Sequence, residues 1–86
     1  MATLNVSVVS ADREVWSGEA SMVVARTVVG ELGILAGHQP VLGVLAEGEV
    51  RITLPGGERL VVDAADGFVS FENNQLSVFA SKAQLV

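Results

Sequence analysis

Leu4, Val6 and Val8 alternate with Thr3, Asn5 and Ser7, the period of two that puts every second side chain on one face of a β-strand. A polar turn at Ser10 to Arg13 leads to Val15 and Trp16. Gly18 then marks a corner before an apolar strand from Ala20 to Val28. Val41 to Leu45 reads as a short apolar strand and Glu47-Gly48 as a turn. Val50, Ile52 and Leu54 then alternate with Glu49, Arg51 and Thr53. Pro55-Gly56-Gly57 turns the chain into a return strand through Leu60 and Val62, and Asp66-Gly67 turns it again. Phe68 to Glu72 and Gln75 to Ala80 flank Asn73-Asn74, a two-residue turn whose asparagines tolerate the positive φ of a type I′ hairpin. Helical periodicity is not sustained anywhere. The pattern predicts an all-β protein: a small antiparallel β-sandwich or flattened barrel of about ten short strands, with residues 1–86 as one domain.

One stretch breaks the pattern. Gly30-Glu31-Leu32-Gly33-Ile34-Leu35-Ala36-Gly37-His38-Gln39-Pro40-Val41-Leu42 collects three glycines, a proline, a carboxylate and the single histidine in thirteen residues. Glycine reaches conformations closed to other residues, and Pro40 fixes its own φ and restricts Gln39, so a defined irregular loop is expected here. Val28-Val29, just before it, is β-branched and apolar where a loop should turn polar, and is read as a strand extension or part of a contact patch.

Composition narrows the function. The chain is 86 residues and 50% apolar, with no cysteine, so neither disulfides nor a thiolate metal site can staple it. A formal net charge of −5 and scattered basic residues argue against nucleic acid and anionic lipid as direct partners. No apolar run approaches the roughly 18 residues of a membrane span. One histidine, one lysine and no tyrosine leave no nucleophile–base constellation, no zinc or calcium spacing and no phosphate-loop or dinucleotide fingerprint. No catalytic residue, metal or cofactor is therefore expected. Trp16 is expected in the core.

The glycine-rich stretch strongly resembles the signature loop of the ε subunit of bacterial F-type ATP synthases, which reads Gly-Glu-Leu-Gly, an apolar pair, then Gly-His-x-Pro-x-Leu. The likeness extends upstream through Val8-Val9-Ser10-Ala11-Asp12 and Val15-Trp16-Ser17-Gly18. Downstream it covers Gly67-Phe68-Val69 and Leu76-Ser77-Val78-Phe79-Ala80. It implies a β-sandwich and a non-catalytic central-stalk subunit of a proton-translocating complex. One copy per complex would bind the γ subunit and the c-ring, at the cytoplasmic face of a bacterial membrane and without a transmembrane segment of its own. On the same resemblance, Glu31 and His38 are expected to contact the c-ring, while Gly30, Gly33, Gly37 and Pro40 shape the loop. Ser10, Val41, Leu42 and Gly43 are candidates for the γ-facing surface. Val28-Val29 and Asp66 depart from the family pattern. So does the end of the chain, where Ser81 to Val86 is not followed by the helical hairpin of many members, and the restraint of hydrolysis and the ATP binding attached to that hairpin are not expected. The alternatives are a lipoyl- or biotinyl-type carrier domain and a free-standing β-sandwich binding module. A carrier needs a lysine at a hairpin tip, whereas Lys82 lies in Ser-Lys-Ala near the chain end.

Overall fold

The computed structural model describes residues 2–86. Seven strands make up the fold: β1 (Leu4–Ser10), β2 (Glu14–Ala20), β3 (Met22–Thr27), β4 (Gly30–Leu35), β5 (Val41–Thr53), β6 (Arg59–Glu72) and β7 (Gln75–Leu85). They form a single hydrogen-bonded sheet in the order β2-β1-β7-β6-β5-β3-β4. Val6 and Val8 of β1 share one core with Val23 and Ala25 of β3, although these strands lie toward opposite ends of that order. The sheet therefore folds over on itself and its two halves face each other as a sandwich, which agrees with the expected all-β class.

The strand count is lower than the sequence pattern suggests, because three strands serve both layers. β5, β6 and β7 run 13, 14 and 11 residues. The two halves of β5 and of β6 were expected as separate strands, and β7 runs on past the expected Gln75 to Ala80 to Leu85. Asp66 takes a φ of +58°, the value a turn would need, yet β6 continues through it. Glu47-Gly48 is likewise inside β5. There Ala46 to Glu49 bulges opposite Arg26, so that the β3–β5 register shifts between Ala25 and Thr27. The bulge bends β5 without ending it, while the β5–β6 and β6–β7 pairings keep one register on both sides of the bend. Gly67 sits at the β6 bend under tight constraint. A Cβ there would overlap the Phe79 carbonyl oxygen and stand 2.6 Å from Ala80 Cα of β7.

Other details also differ from expectation. Gly18 lies inside β2, opposite Val6, with the half-buried Trp16 ring over it, rather than at a corner. The apolar run from Ala20 to Val28 is broken at Ser21, whose N–H and hydroxyl both donate to the Thr53 carbonyl. Pairing is antiparallel except between β1 and β7, which run parallel from Asn5↔Gln75 to Ser10↔Ala80. The Asn73-Asn74 turn is as expected, with φ of +52° and +58°. Lys82 pairs with Ala65 in the body of β7 and is not at a hairpin tip.

The core follows the alternation. Leu4, Val6 and Val8 are buried along with Val23, Ile34, Val50, Ile52, Val62, Val69, Phe71, Leu76 and Val78. Trp16 is half-buried against this cluster. Among the described residues no helix is long and apolar enough to cross a membrane.

Candidate functional site

Much of the stretch expected as an irregular loop is strand. Gly30–Leu35 is β4, paired with β3 in register Glu31↔Arg26 and Gly33↔Val24, and it forms one edge of the sheet. Leu32 and Ile34 turn inward, while Glu31, Gly33 and Leu35 face out. Only residues 36–40 lie outside the strands, between β4 and β5. Glu31 and His38 are consequently not neighbours. Leu35 lies four residue steps along the strand from Glu31, about 13 Å at the usual rise, and His38 lies beyond that.

At the Glu31 end the β3–β4 turn is held from inside. The buried Thr27 hydroxyl donates to the Gly30 carbonyl at 2.7 Å and accepts the Val29 N–H at 3.3 Å, which leaves Val28 and Val29 at the exposed tip. Gly30 has a φ of +124°, so its absent side chain is a conformational requirement. Arg51 of β5 reaches across β3 and donates to Glu31 Oε2 at 2.7 Å. Both side chains are largely exposed, and screening by water limits such a pair to about 0–1 kcal/mol. The pair fixes geometry more than it adds stability.

At the other end the His38 N–H donates to the Leu35 carbonyl at 3.1 Å, and Gly37, with φ +83°, donates its N–H to Asn74 Oδ1 at 2.8 Å. The His38 ring meets the buried Phe71 edge to face, with centroids 6.0 Å apart and planes at 82°. His38 Nδ1 lies 2.6 Å from the Gln39 carbonyl; a carbonyl only accepts, so Nδ1 carries the proton and Nε2 is the atom available to a partner. Pro40 is exposed and leads into β5. Gly33 differs from Gly30 and Gly37. It is strand, has no positive φ, and a Cβ there would meet nothing within 4 Å.

The candidates beyond the loop separate by strand phase. Leu42 is exposed, whereas Val41 packs against the core and a Cβ on Gly43 would point inward at Thr27 and Val69. Ser10 is buried; its hydroxyl bonds Asp12 Oδ1 and the Arg13 carbonyl and so builds the β1–β2 turn.

Around Leu42 the outer face of this layer forms two cross-strand rows that sequence reasoning missed. In one, Val9, Phe79, Phe68 and Val44 are successive register partners across β1, β7, β6 and β5. Phe68 and Phe79 stack with centroids 5.7 Å apart. Val28 joins the end of this row by donating its N–H to the Val44 carbonyl at 3.0 Å. In the adjacent row, Ser17, Ser7, Ser77, Ser70 and Leu42 are successive partners from β2 to β5. These nine positions carry no charge, although the chain has fifteen charged residues; at its β2 end the first row meets Glu14, the partner of Val9. A flat face of apolar side chains and small hydroxyls lets another protein approach closely at little desolvation cost. The available signal was the phase of the strands: Phe68 and Phe79 each flank an inward valine or alanine, which puts them on the outside.

Comparison with known proteins follows the same outline. Residues 3–86 match the family described as ATP synthase, Delta/Epsilon chain, beta-sandwich domain. The chain is 52% identical over 84 residues to the ATP synthase epsilon chain of Streptomyces avermitilis, covering 98% of this chain and 68% of that one. It is 47% identical over 85 residues to the epsilon chain of Micrococcus luteus, covering 99% and 93% of the two. A solved structure of the Euglena gracilis mitochondrial ATP synthase, comprising OSCP, F1 and the c-ring, contains a chain that superposes with a TM-score of 0.92 at 22% identity. This chain spans about half of that one, 54% of its length. A second, from the central stalk and c-ring of the Tetrahymena thermophila mitochondrial enzyme, superposes at 0.74 with 18% identity over 63% of its length. At these identities the two structures bear on the fold alone.

Proposed function

Because the chain belongs to the Delta/Epsilon-chain β-sandwich family of ATP synthases, we propose that it is a non-catalytic central-stalk subunit that binds the γ subunit and the c-ring and helps couple proton flow to ATP synthesis. The observation that carries this reading is the uncharged outer face built by Val9, Phe79, Phe68, Val44 and Leu42 with its row of serines. It suits a long-lived contact with another protein, and we assign it to γ. Leu42 is the member of the Val41-Leu42-Gly43 segment that supplies a side chain; Val41 and Gly43 set the strand beneath it. Ser10 contributes through the shape of the β1–β2 turn.

The c-ring contact is assigned to the β4 edge. Glu31, held by Arg51, stands at one end and His38 at the other, with Gly33 between them, where the lack of a side chain admits close backbone approach. Gly30, Gly37 and Pro40 shape the two ends. A stable interface buries more than roughly 1,000 Å² in total, so a strand edge alone is too small and the γ-facing layer supplies most of the area. Such a subunit sits against the membrane sector without entering the bilayer. Its sheet, continuous through three bent strands, transmits force with little internal give, as a part that turns with the ring must.

Site-directed cross-linking tests the assignment. A cysteine at Leu42 is expected to cross-link to γ in the assembled complex, whereas one at the exposed Arg59, in the other layer, is not. Equal cross-linking from both positions, or from neither, would remove the outer face as the γ-binding surface.

A further inference from the structure

Asn74 is the second residue of a type I′ turn, where glycine is the residue that satisfies positive φ most readily. Asparagine tolerates the same φ and adds a side-chain acceptor that glycine lacks. Here it is used: Oδ1 accepts the Gly37 N–H at 2.8 Å, across 37 residues of sequence, while the Asn74 backbone carbonyl accepts the Asn5 N–H at 2.8 Å. The one residue thus ties together the β6–β7 turn, the start of β1 and the β4–β5 loop. Within that loop, the backbone bond of His38 to Leu35 is local and closes only a single turn. It does not set where the loop stands relative to the sandwich. Two contacts do so: the Asn74 latch on Gly37, and the edge of the His38 ring on Phe71. Gly37 makes this bond while holding a φ of +83°, which turns the chain that follows toward His38.

We propose that Asn74 is a positioning residue for the β4–β5 loop, acting through Gly37 to hold His38 where a partner meets it. The inference rests on the reading of His38 as a rotor contact, but the latch itself can be read without any partner. The substitutions separate the two functions of the residue. Asn74→Gly keeps the positive φ that the turn requires and removes the acceptor. Asn74→Asp tolerates the same φ and keeps an acceptor oxygen.

The test measures amide exchange at Gly37 and affinity for a γ–c-ring rotor preparation, using the full chain and both variants. An exposed hydrogen bond has a modest net worth, so Asn74→Gly is expected to speed Gly37 exchange about fivefold and weaken rotor binding about fivefold, with Asn74→Asp close to the unaltered chain in both. Unchanged Gly37 exchange in Asn74→Gly would overturn the latch. Faster exchange with unchanged rotor affinity would overturn its positioning role, as would equal losses in Asn74→Gly and Asn74→Asp. If the unaltered chain itself fails to bind the rotor, the rotor reading falls, and Gly37 exchange still decides the latch.

Discussion

Phe68 and Phe79 stand opposite each other on β6 and β7, stacked 5.7 Å apart with planes only 21° from parallel, on the outside of the sandwich. Each is about two-fifths exposed, Phe68 at 43% and Phe79 at 42%. An aromatic pair on the core side would explain itself by burial. This one lies on the outer face, in a row with Val9 and Val44, and it anchors the proposed γ contact.

Replacing both with serine is expected to leave folding nearly intact and to weaken γ binding by more than about 2 kcal/mol, roughly thirtyfold, the scale of an aromatic interface anchor. Calorimetric titration with γ, alongside a urea melt, checks both halves of this expectation. A large loss of stability with unchanged γ affinity would make the pair part of the fold and not of the interface.

Gly67→Ala is expected to behave in the opposite way. The added Cβ would overlap the Phe79 carbonyl and press on Ala80 Cα at 2.6 Å, and both are backbone that cannot rotate away. Separation of β6 from β7 at the bend should cost more than about 3 kcal/mol, beyond the usual range for overpacking. Urea denaturation measures it. A stable Gly67→Ala protein would mean that the two strands can part at the bend without loss of the sandwich.

The glycines of the signature stretch should divide. Gly37→Ala forces a side chain to a φ of +83° and is expected to cost about 1–2 kcal/mol even though a Cβ would find open space. Gly33→Ala meets neither obstacle and should leave the melting temperature unchanged. A drop in c-ring attachment by Gly33→Ala alone would support close approach to the β4 edge; unchanged attachment would count against it.

Changing Glu31 to Gln and His38 to Ala together is expected to leave the sandwich folded. Glu31 forms an exposed pair worth less than about 1 kcal/mol, and the His38 ring contact with Phe71 is worth no more than about 1.5 kcal/mol. Coupling should weaken, seen as reduced proton pumping by the reconstituted complex. Full pumping with normal folding would strike both residues from the contact set.

These expectations depend on features that were legible in the sequence to different degrees. The alternation of Leu4, Val6 and Val8 identified β1 and its inward face, and Asn73-Asn74 identified its turn, because both are local: side-chain period and φ preference are properties of the residues themselves. Asp66-Gly67 and Glu47-Gly48 carry the same local chemistry as a turn, yet stand in bends of continuous strands. Whether such a pair reverses the chain or only bends it depends on pairing with β7 and β5, which is not local. The parallel pairing of β1 with β7 joins segments about seventy residues apart and leaves no trace in either. The glycines of Gly30–Leu35 hid a strand whose alternation, Leu32 and Ile34 inward against Glu31 and Gly33 outward, is plain once β3 is beside it. Phe68 and Phe79 escaped notice as surface residues because apolar side chains line both faces of their strands, so composition favours the core and only phase points outward. The resemblance named Glu31 and His38 without revealing that β4 separates them.

The central claim is that this sandwich binds γ through its uncharged outer face. Native mass spectrometry of the chain mixed with the γ subunit of the same organism tests it most directly, with the Phe68→Ser/Phe79→Ser variant run beside it. The account predicts a one-to-one complex for the unaltered chain and its loss in the variant. A bare monomer in both, or an equally abundant complex in both, would contradict it.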